Sequence, residues 1–395
     1  MKTMGDSTFL TQVVLEDYKS IAFCRVPLGP LAFFVGPNGS GKSNFLDALR
    51  LVTEALQFSL EHALRGRGGI LEICRRSENT SSSSFGVRLD VALENGQRGF
   101  YAIRIGSLAQ GGFTVEREEC WLSPEAHFRV EDGVVVSSSL SVAPAAASDR
   151  LYLVHASGFP ELRPLYEALS SMGFYNFSPD RLRDLQPSDT GNLLARDGGN
   201  IASVLRQLEA HSPPIKQRIE EYLAKISVGV QHVDSKAVGH KETLEFDQQA
   251  AKFLASSMSD GTLRALGVLV ALFQSSNGHQ RPIPLVAIEE PEAALHPAAA
   301  GILLDALSEA SRSTQVLVTS HSPDLLENGL IPARSILAVV LEDGKTRIGP
   351  LDSVGSSALR DHLYTPGELL RMNQLIPDPS VAQDVAPDLF ASSLP

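Results

Sequence analysis

Hydrophobic patterning changes character along the chain. From Phe9 to about Val136 apolar residues recur mostly with period two: Phe85-Gly-Val-Arg-Leu-Asp-Val alternates strictly, Phe100-Tyr-Ala-Ile-Arg-Ile less cleanly, and Phe113-Thr-Val-Glu continues the meander. A strand that alternates has one apolar and one polar face, so antiparallel strands with one wet face are expected. Two stretches depart from that rhythm. Leu31 to Val35 is a solid apolar run suited to a buried strand, and Phe45, Leu49, Val52 and Leu56 recur at helical spacing.

Ser137 to Ser148, biased to serine and alanine, reads as a surface loop and a weak boundary. From Leu151 to about Phe253 helical patterns dominate. Ile201 to Leu208 predicts one helix and Ile215 to Ile226 another, separated by Ser212-Pro-Pro. Neither carries three heptads, so no long coiled coil is expected. From Ser257 to Leu351 buried strands return at Pro284 to Glu289 and Gln315 to Thr319, with a helix after Pro297, a strand-helix-strand unit of a parallel sheet. Ile336 to Val340 followed by Glu342-Asp-Gly-Lys and Thr346-Arg-Ile predicts a hairpin with a short glycine turn. Proline and small polar residues from Pro377 onward predict a loose tail. The chain thus divides into 1–150, a lobe with an antiparallel meander; 151–255, a helical insertion; 256–376, a second α/β lobe; and 377–395, a flexible tail.

With 43% hydrophobic and 20% charged residues in 395, the composition is that of a globular protein. No apolar run approaches the roughly 18–20 residues of a membrane span, and Met1 to Ser7 lacks a basic stretch followed by an apolar one, so no membrane and a cytoplasmic location are expected. Cys24, Cys74 and Cys120 fall in no zinc or redox spacing and read as free thiols. A net charge of −12 argues against a generally basic nucleic-acid binder but leaves room for a local basic stripe, so charge decides nothing about DNA.

Chemistry enters with Gly36-Pro37-Asn38-Gly39-Ser40-Gly41-Lys42-Ser43, which fits G-x-x-x-x-G-K-[ST] at every fixed place and lies between the solid strand and the helix. Glycines let successive N–H groups curl around a β-phosphate, and the helix starting near Lys42 aims its positive dipole end at that charge. Lys42 is expected to reach the β- and γ-phosphates of ATP, and Ser43 to offer its hydroxyl to Mg²⁺; Asn44 completes the nucleotide-binding stretch.

Further motifs follow in order. Met258-Ser259-Asp260-Gly261-Thr262-Leu-Arg264 opens a strongly apolar helix, either as an anion site for a γ-phosphate from another subunit or as simple capping by Ser259 or Asp260. The strand ending Glu289-Glu290-Pro291-Glu292 puts carboxylates at the carboxyl edge of a sheet, with Glu289 expected to hold Mg²⁺ and Glu290 to orient or deprotonate water. A solvated strand end is the plain alternative, and Glu292 reads equally as a surface residue. Pro297 suits a first helical turn, while His296 is either a link between subunits or a local structural residue. Thr319-Ser320-His321-Ser322-Pro323 ends the next strand with a histidine placed to contact a γ-phosphate or water.

In this order the motifs resemble ABC-type ATPases of the SMC/RecF/OLD group, over roughly Leu10 to Leu71 and Ser257 to Leu370, including Tyr364-Thr-Pro-Gly-Glu-Leu-Leu. The resemblance implies an α/β P-loop NTPase of ABC/SMC-head type: a mixed sheet with an antiparallel β lobe, a helical insertion and a parallel-sheet lobe. It makes the motifs a Walker A loop, signature, Walker B with catalytic Glu290, D-loop and switch His321, with Lys42 also catalytic. It further implies a head-to-tail homodimer trapping two ATP molecules, each between one phosphate loop and Ser259 and Gly261 of the other subunit. For the expected Q-loop glutamine at the metal, Gln186 is nominated, with Gln207 as alternative. Arg65/Arg67 and Arg75/Arg76 fall where related heads carry a nucleotide- or DNA-sensing arginine, although solvated surface is the preferred reading.

Departures from the family narrow the role. Glu289 stands where aspartate is common, as in OLD-like members, and S-D-G-T replaces S-G-G-Q, which argues against transmembrane transport. Too few residues follow Pro350 here for an OLD-type nuclease domain, so any DNA cleavage is expected from another polypeptide. The expected function is an ATP-hydrolysing dimer acting on or sensing DNA in repair or anti-phage defence, with DNA and a separately encoded nuclease or toxin effector as partners. The alternative is a nucleotide-gated scaffold with slow hydrolysis, docking a partner through Leu151 to Phe253. A transporter's nucleotide-binding subunit is the third reading.

Overall fold

The computed structural model describes residues 8–76, 82–249, 251–274, 283–327, 331–380 and 389–390. The expectations placed on Met1 to Ser7 and on most of the tail, 381–388 and 391–395, lie outside the described residues. The first strands are β1 (Leu10–Tyr18), β2 (Ile21–Pro27), β3 (Leu31–Val35), β4 (Ser84–Ala92), β5 (Arg98–Ser107), β6 (Phe113–Ser123), β7 (Ala126–Glu131) and β8 (Val134–Ser138). All but β3 form a seven-stranded antiparallel sheet in the order β2-β1-β4-β5-β6-β7-β8, the meander that the alternation predicts.

The middle of the chain contributes β9 (Gly173–Tyr175), β10 (Gln186–Pro187), β11 (Val230–Val238), β12 (Lys241–Gln248) and β13 (Ala251–Leu254). The last part adds β14 (Leu285–Glu289), β15 (Gln315–Ser320), β16 (Ile336–Glu342) and β17 (Lys345–Pro350). A six-stranded sheet in the order β17-β16-β3-β15-β14-β9 is parallel except for β17, which closes the expected hairpin on β16 through Asp343 and Gly344.

Both faces of this central sheet are covered, which is why β3 is solidly apolar. Phe34 packs into a core shared with the helix Lys42–Gln57 and the inner face of the antiparallel sheet, beside Phe45, Leu49, Leu89 and Tyr101. Phe33 and Val35 point the other way, into a core formed with the helices Ile201–His211, Pro213–Ile226, Asp260–Phe273 and Ala300–Ala310. The expected breaker at Ser212 acts as the N-cap of the helix that its two prolines begin.

Two expectations are corrected. Helix does not run through to Phe253: after Ile226 the chain folds into β11, β12 and β13, which with β10 make a second antiparallel sheet. Its text hides it, because β11 is Val-Gln-His-Val-Asp-Ser-Lys-Ala-Val with only Val230 and Val233 buried, and β13 is exposed throughout. The tail is not loose at every described position either, since Leu389 and Phe390 are 1% and 3% exposed.

A buried carboxylate joins the first lobe to the middle segment. Glu118 on β6 is fully buried; it accepts from Tyr101 Oη at 2.9 Å, from Leu153 N at 2.8 Å and from Tyr152 N, at the start of the helix Tyr152–Ala156. Burial pushes its pKa up to about 7, against the opposing pull of those donors. A carboxyl whose folded pKa is raised adds stability that is full below its ordinary value near 4.5 and is lost as pH climbs towards 7. Glu118→Gln is expected to remove that slope from a plot of melting temperature against pH. It should also cost about 1–3 kcal/mol at every pH, because the amide turns a donor towards donors.

Candidate functional site

The phosphate-loop sequence links β3 to the helix that begins at Lys42. Two of its glycines are required by space: a Cβ on Gly36 would lie 1.9 Å from Val339 O, and one on Gly41, at φ 105°, would lie 2.2 Å from Thr346 Oγ1. Thr346, on β17, buttresses the loop. Its hydroxyl donates to Ser40 O at 2.8 Å and lies 2.7 Å from Ser20 Oγ, which in turn accepts from Asn44 Nδ2 at 2.7 Å. Nothing in the local text around Thr346 announces this role. Lys42 is 5% exposed, with Nζ donating to Gly36 O and Pro37 O, each at 2.8 Å. Burial lowers the Lys42 pKa, while the charges of Glu290 and Glu292 oppose that shift. Ser40 Oγ is buried without a hydrogen-bond partner, a polar atom inside the loop still open to an acceptor or donor.

Parallel pairing brings the other candidates to the same edge. Ser320 is in register with Val35 and Glu289 with Thr319, so β3, β15 and β14 end together. Beyond β14, Glu290 takes a left-handed φ of 46° and donates its N–H to Thr319 O at 3.0 Å. For a non-glycine residue such backbone costs about 1 kcal/mol or more, a strain often found where a side chain must be aimed. It delivers Glu290 Oε1 to 3.0 Å from His321 Nδ1, pairing the two residues singled out from sequence. Glu292 is more than the surface residue that the sequence allows. It accepts from Ser320 Oγ, its second oxygen is buried without a partner, and burial raises its pKa. Arg264 Nε is likewise buried and unpartnered; burial lowers the Arg264 pKa, opposed by Glu290, Glu292 and Asp260.

A cleft of about 200 Å³ opens beside the loop, lined by Ser43, Asn44, Lys19, Arg196 and Glu289 among others. A hydroxyl and a carboxylate facing one cleft are hard oxygen donors of the kind Mg²⁺ takes, so Ser43 and Glu289 fit that ion. Arg196 holds the carboxylate, with Nη2 donating to Glu289 Oε1 at 3.1 Å. The sequence reading missed this arginine, whose only local signal is a glycine-rich turn. It also missed Asp47 on the following helix, where Lys19 Nζ at 2.5 Å, Arg50 Nη2 at 2.5 Å and Arg67 Nη2 at 2.9 Å converge. Burial alone would raise the Asp47 carboxyl, but Arg67, Lys19 and Arg50 outweigh it and hold it well below the usual carboxylate range.

Two arginine and glutamine expectations change. Arg65 is a solvated residue paired with Glu61, whereas the Arg67 side chain is only 4% exposed and bridges Asp47 and Glu54. Gln186 does not offer its carboxamide to a metal: its nitrogen donates to Arg181 O and Gly198 O, both at 3.2 Å, and its oxygen accepts from Ala202 N at 3.1 Å. It is a buried splint of the middle segment. The polar residue that follows β9, and so extends the register beside Glu289, is Asn176, which is exposed.

Ser259 and Gly261 do not line the cleft. Ser259 Oγ accepts from Thr262 N at 3.2 Å, capping the helix Asp260–Phe273, so the capping reading holds whether or not an anion is also bound there. Gly261 is needed for a close approach, since a Cβ would lie 2.5 Å from Ala294 O. His296 Nδ1 accepts from Ala298 N at 3.2 Å and caps the short turn Pro297–Ala299.

The fold is that of SMC head domains. An SmcHead bound to the C-winged helix domain of ScpA superposes with a TM-score of 0.59 at 16% identity, covering 88% of this chain and all of that one. The Smc head from Pyrococcus furiosus with an extended coiled coil, bound to the C-terminal domain of ScpA, gives 0.51 at 14%, covering 90% and 99%. The head from Pyrococcus yayanosii with a coiled coil and joint gives 0.50 at 13%, with the same coverage. No curated protein sequence matches the chain. Among the described residues, no helix is long and apolar enough to cross a membrane. A family profile matches residues 31–327, from β3 through the phosphate loop and both acidic and histidine strand ends. The chain therefore belongs to the family described as "AAA domain, putative AbiEii toxin, Type IV TA system", with a P-loop and the fold of an SMC head.

Proposed function

We propose that the protein is a cytoplasmic ATPase that hydrolyses ATP in a head-to-tail homodimer. Each nucleotide lies between the phosphate loop of one subunit and Ser259 and Gly261 of the other. The observation that carries this reading is the meeting of the phosphate-loop strand with the acidic and histidine strand ends at one sheet edge, where Ser43, Asn44 and Glu289 line a cleft that opens outward and Ser259 caps a helix outside it. A second copy supplies the missing half.

In this mechanism the loop N–H groups receive the phosphate charge, and Lys42 leaves the carbonyls of Gly36 and Pro37 for the phosphates. Glu290 takes a proton from the attacking water, and His321 holds the Glu290 carboxylate in place for that transfer. Bound Mg²⁺, held by Ser43 and Glu289, would offset the charge that develops on the phosphates. The family's toxin and TA-system description supports a role in defence with a separately encoded effector, and we extend it to sensing or acting on DNA. The second reading, a nucleotide-gated scaffold with slow hydrolysis and no direct DNA binding, is favoured by the SMC heads whose structures carry a ScpA domain. Affinity for duplex DNA that falls steeply with salt separates the two.

Glu290→Gln is expected to cut turnover at least about 100-fold, leave nucleotide binding intact and raise the dimer fraction in sedimentation. Turnover at the parent rate removes Glu290 from the role. Ser259→Arg should abolish ATP-driven dimerisation without weakening ATP binding by the monomer; a thermal melt gauges the lost cap, worth about 1 kcal/mol. An unchanged dimer rules out the composite site. Arg196→Ala should lower the Mg²⁺ concentration for half-maximal nucleotide binding by roughly two- to fivefold, the scale of a half-exposed ion pair. A rise would mean that Arg196 serves the nucleotide directly.

A further inference from the structure

The outer face of the seven-stranded sheet carries a built site with no part in nucleotide chemistry. Cross-strand register defines three neighbouring rows on that face. Gln12, Asp90, Phe100 and Trp121 form one; Val14, Arg88, Ala102 and Glu119 the next; Glu16, Gly86, Arg104 and Arg117 the third. Alternation predicts this face to be wet, yet Val14, Phe100 and Ala102 are buried. Leu389 and Phe390 cover them, with Phe23 and Trp121 at the margin.

The fit is specific at both residues. Leu389 lies over Gly86, where a Cβ would stand 2.7 Å from Leu389 Cδ2, so the absent side chain is the space the leucine fills. Phe390 lies against arginine, with the Arg117 guanidinium 4.1 Å and that of Arg104 5.5 Å from its ring centre. Between them Arg88, 5% exposed, donates from Nη1 to Leu389 O at 3.1 Å and stacks on Phe100 at 4.0 Å. Each guanidinium is fixed by its own carboxylate: Arg88 by Asp90 at 2.8 Å, Arg104 by Glu16 at 2.5 Å and Arg117 by Glu119 at 2.6 Å. Side chains already held in place lose little freedom when an aromatic ring arrives.

We propose that this face is a peptide-recognition site for a leucine-phenylalanine pair, filled by the chain's own Leu389 and Phe390. The gap above Gly86 selects the leucine, the arginine-walled slot selects the phenylalanine, and Arg88 reads the main-chain carbonyl between them. The pair belongs to the same chain as its seat, so it competes at an effective concentration on the order of millimolar, and free peptide at micromolar concentration is excluded while the seat is full.

The test adds a fluorescein-labelled peptide of residues 384–395 to the full-length protein and follows its anisotropy. Little binding is expected to the parent chain and at least about tenfold tighter binding to Phe390→Ala, in which the resident pair no longer competes. Arg117→Ala in the Phe390→Ala background should remove most of that gain, as should a peptide with alanine in place of its phenylalanine. The single tryptophan gives a second readout. Trp121 borders the site, so Phe390→Ala should increase its quenching by acrylamide, and the peptide should reverse the increase. If Phe390→Ala melts early, the same quenching on Arg117→Ala, whose arginine lies at the surface of the slot, replaces it. Equal peptide binding by parent and Phe390→Ala, or quenching unchanged in both variants, overturns the proposal. A dimer that is lost on Phe390→Ala would mean exchange of the segment between copies and overturns its seating within one chain.

Discussion

The candidate site depends on the parallel pairing of β15 with β3 on one side and β14 on the other. A parallel strand buried on both faces is held by two cores at once, so sliding it by one residue would exchange Phe33 for Phe34 and every other facing pair with them. That cost fixes register. Fixed register in turn sets Val35, Ser320 and Glu289 at one edge, and the loop, the acidic pair and the histidine all hang from those three ends. The chemistry is exposed at the edge, but its precision comes from apolar packing deeper in the sheet.

Electrostatics at that edge is a balance that no single residue sets. Burial lowers the Lys42 pKa, and the charges of Glu290 and Glu292 oppose the shift; burial raises that of Glu292, which the Ser320 hydroxyl and its own backbone N–H partly offset. Arg264, placed on the helix that Ser259 caps, feels the same carboxylates. Concentrated negative charge beside a glycine loop suits a cation far better than a bare phosphate. Arg196 on Glu289 therefore supplies a resident counter-charge within that acidic edge.

What could be read from the text follows from how locally each feature is encoded. The phosphate loop, the strand at Leu31, the hairpin at Asp343-Gly344 and the helices on either side of Ser212 depend on neighbours in sequence, and they stand where the periodicity puts them. β11 escaped because so much of it faces solvent, leaving too few apolar positions to mark a period. Arg65 and Arg67 look alike in the text and differ in space, because the partners of Arg67 lie on an earlier helix. Gln186 was nominated by type and position. Its carboxamide is spent on the backbone of Arg181, Gly198 and Ala202, which no local pattern reveals. Leu389 and Phe390 sit in a stretch of composition typical of loose tails, and only the outer-face apolar residues of β1 and β5, unexplained by a wet face, hinted at a cover.

The remaining link lies between Ser259 to Gly261 and the acidic strand end. Glu290 and Ala294, both with left-handed φ at 46° and 65°, bracket a tight turn closed by Ala293 N to Glu290 O and Leu295 N to Glu292 O, each at 3.0 Å. Gly261 abuts the far side of that turn, with no room for a methyl group against Ala294 O. A turn this constrained transmits displacement rather than absorbing it. In the proposed dimer, Gly261 serves one nucleotide and Glu290 of the same chain serves the other. Because Gly261 abuts the turn that follows Glu290, closure at one site of that proposed dimer would press on the turn that carries Glu290 of the other.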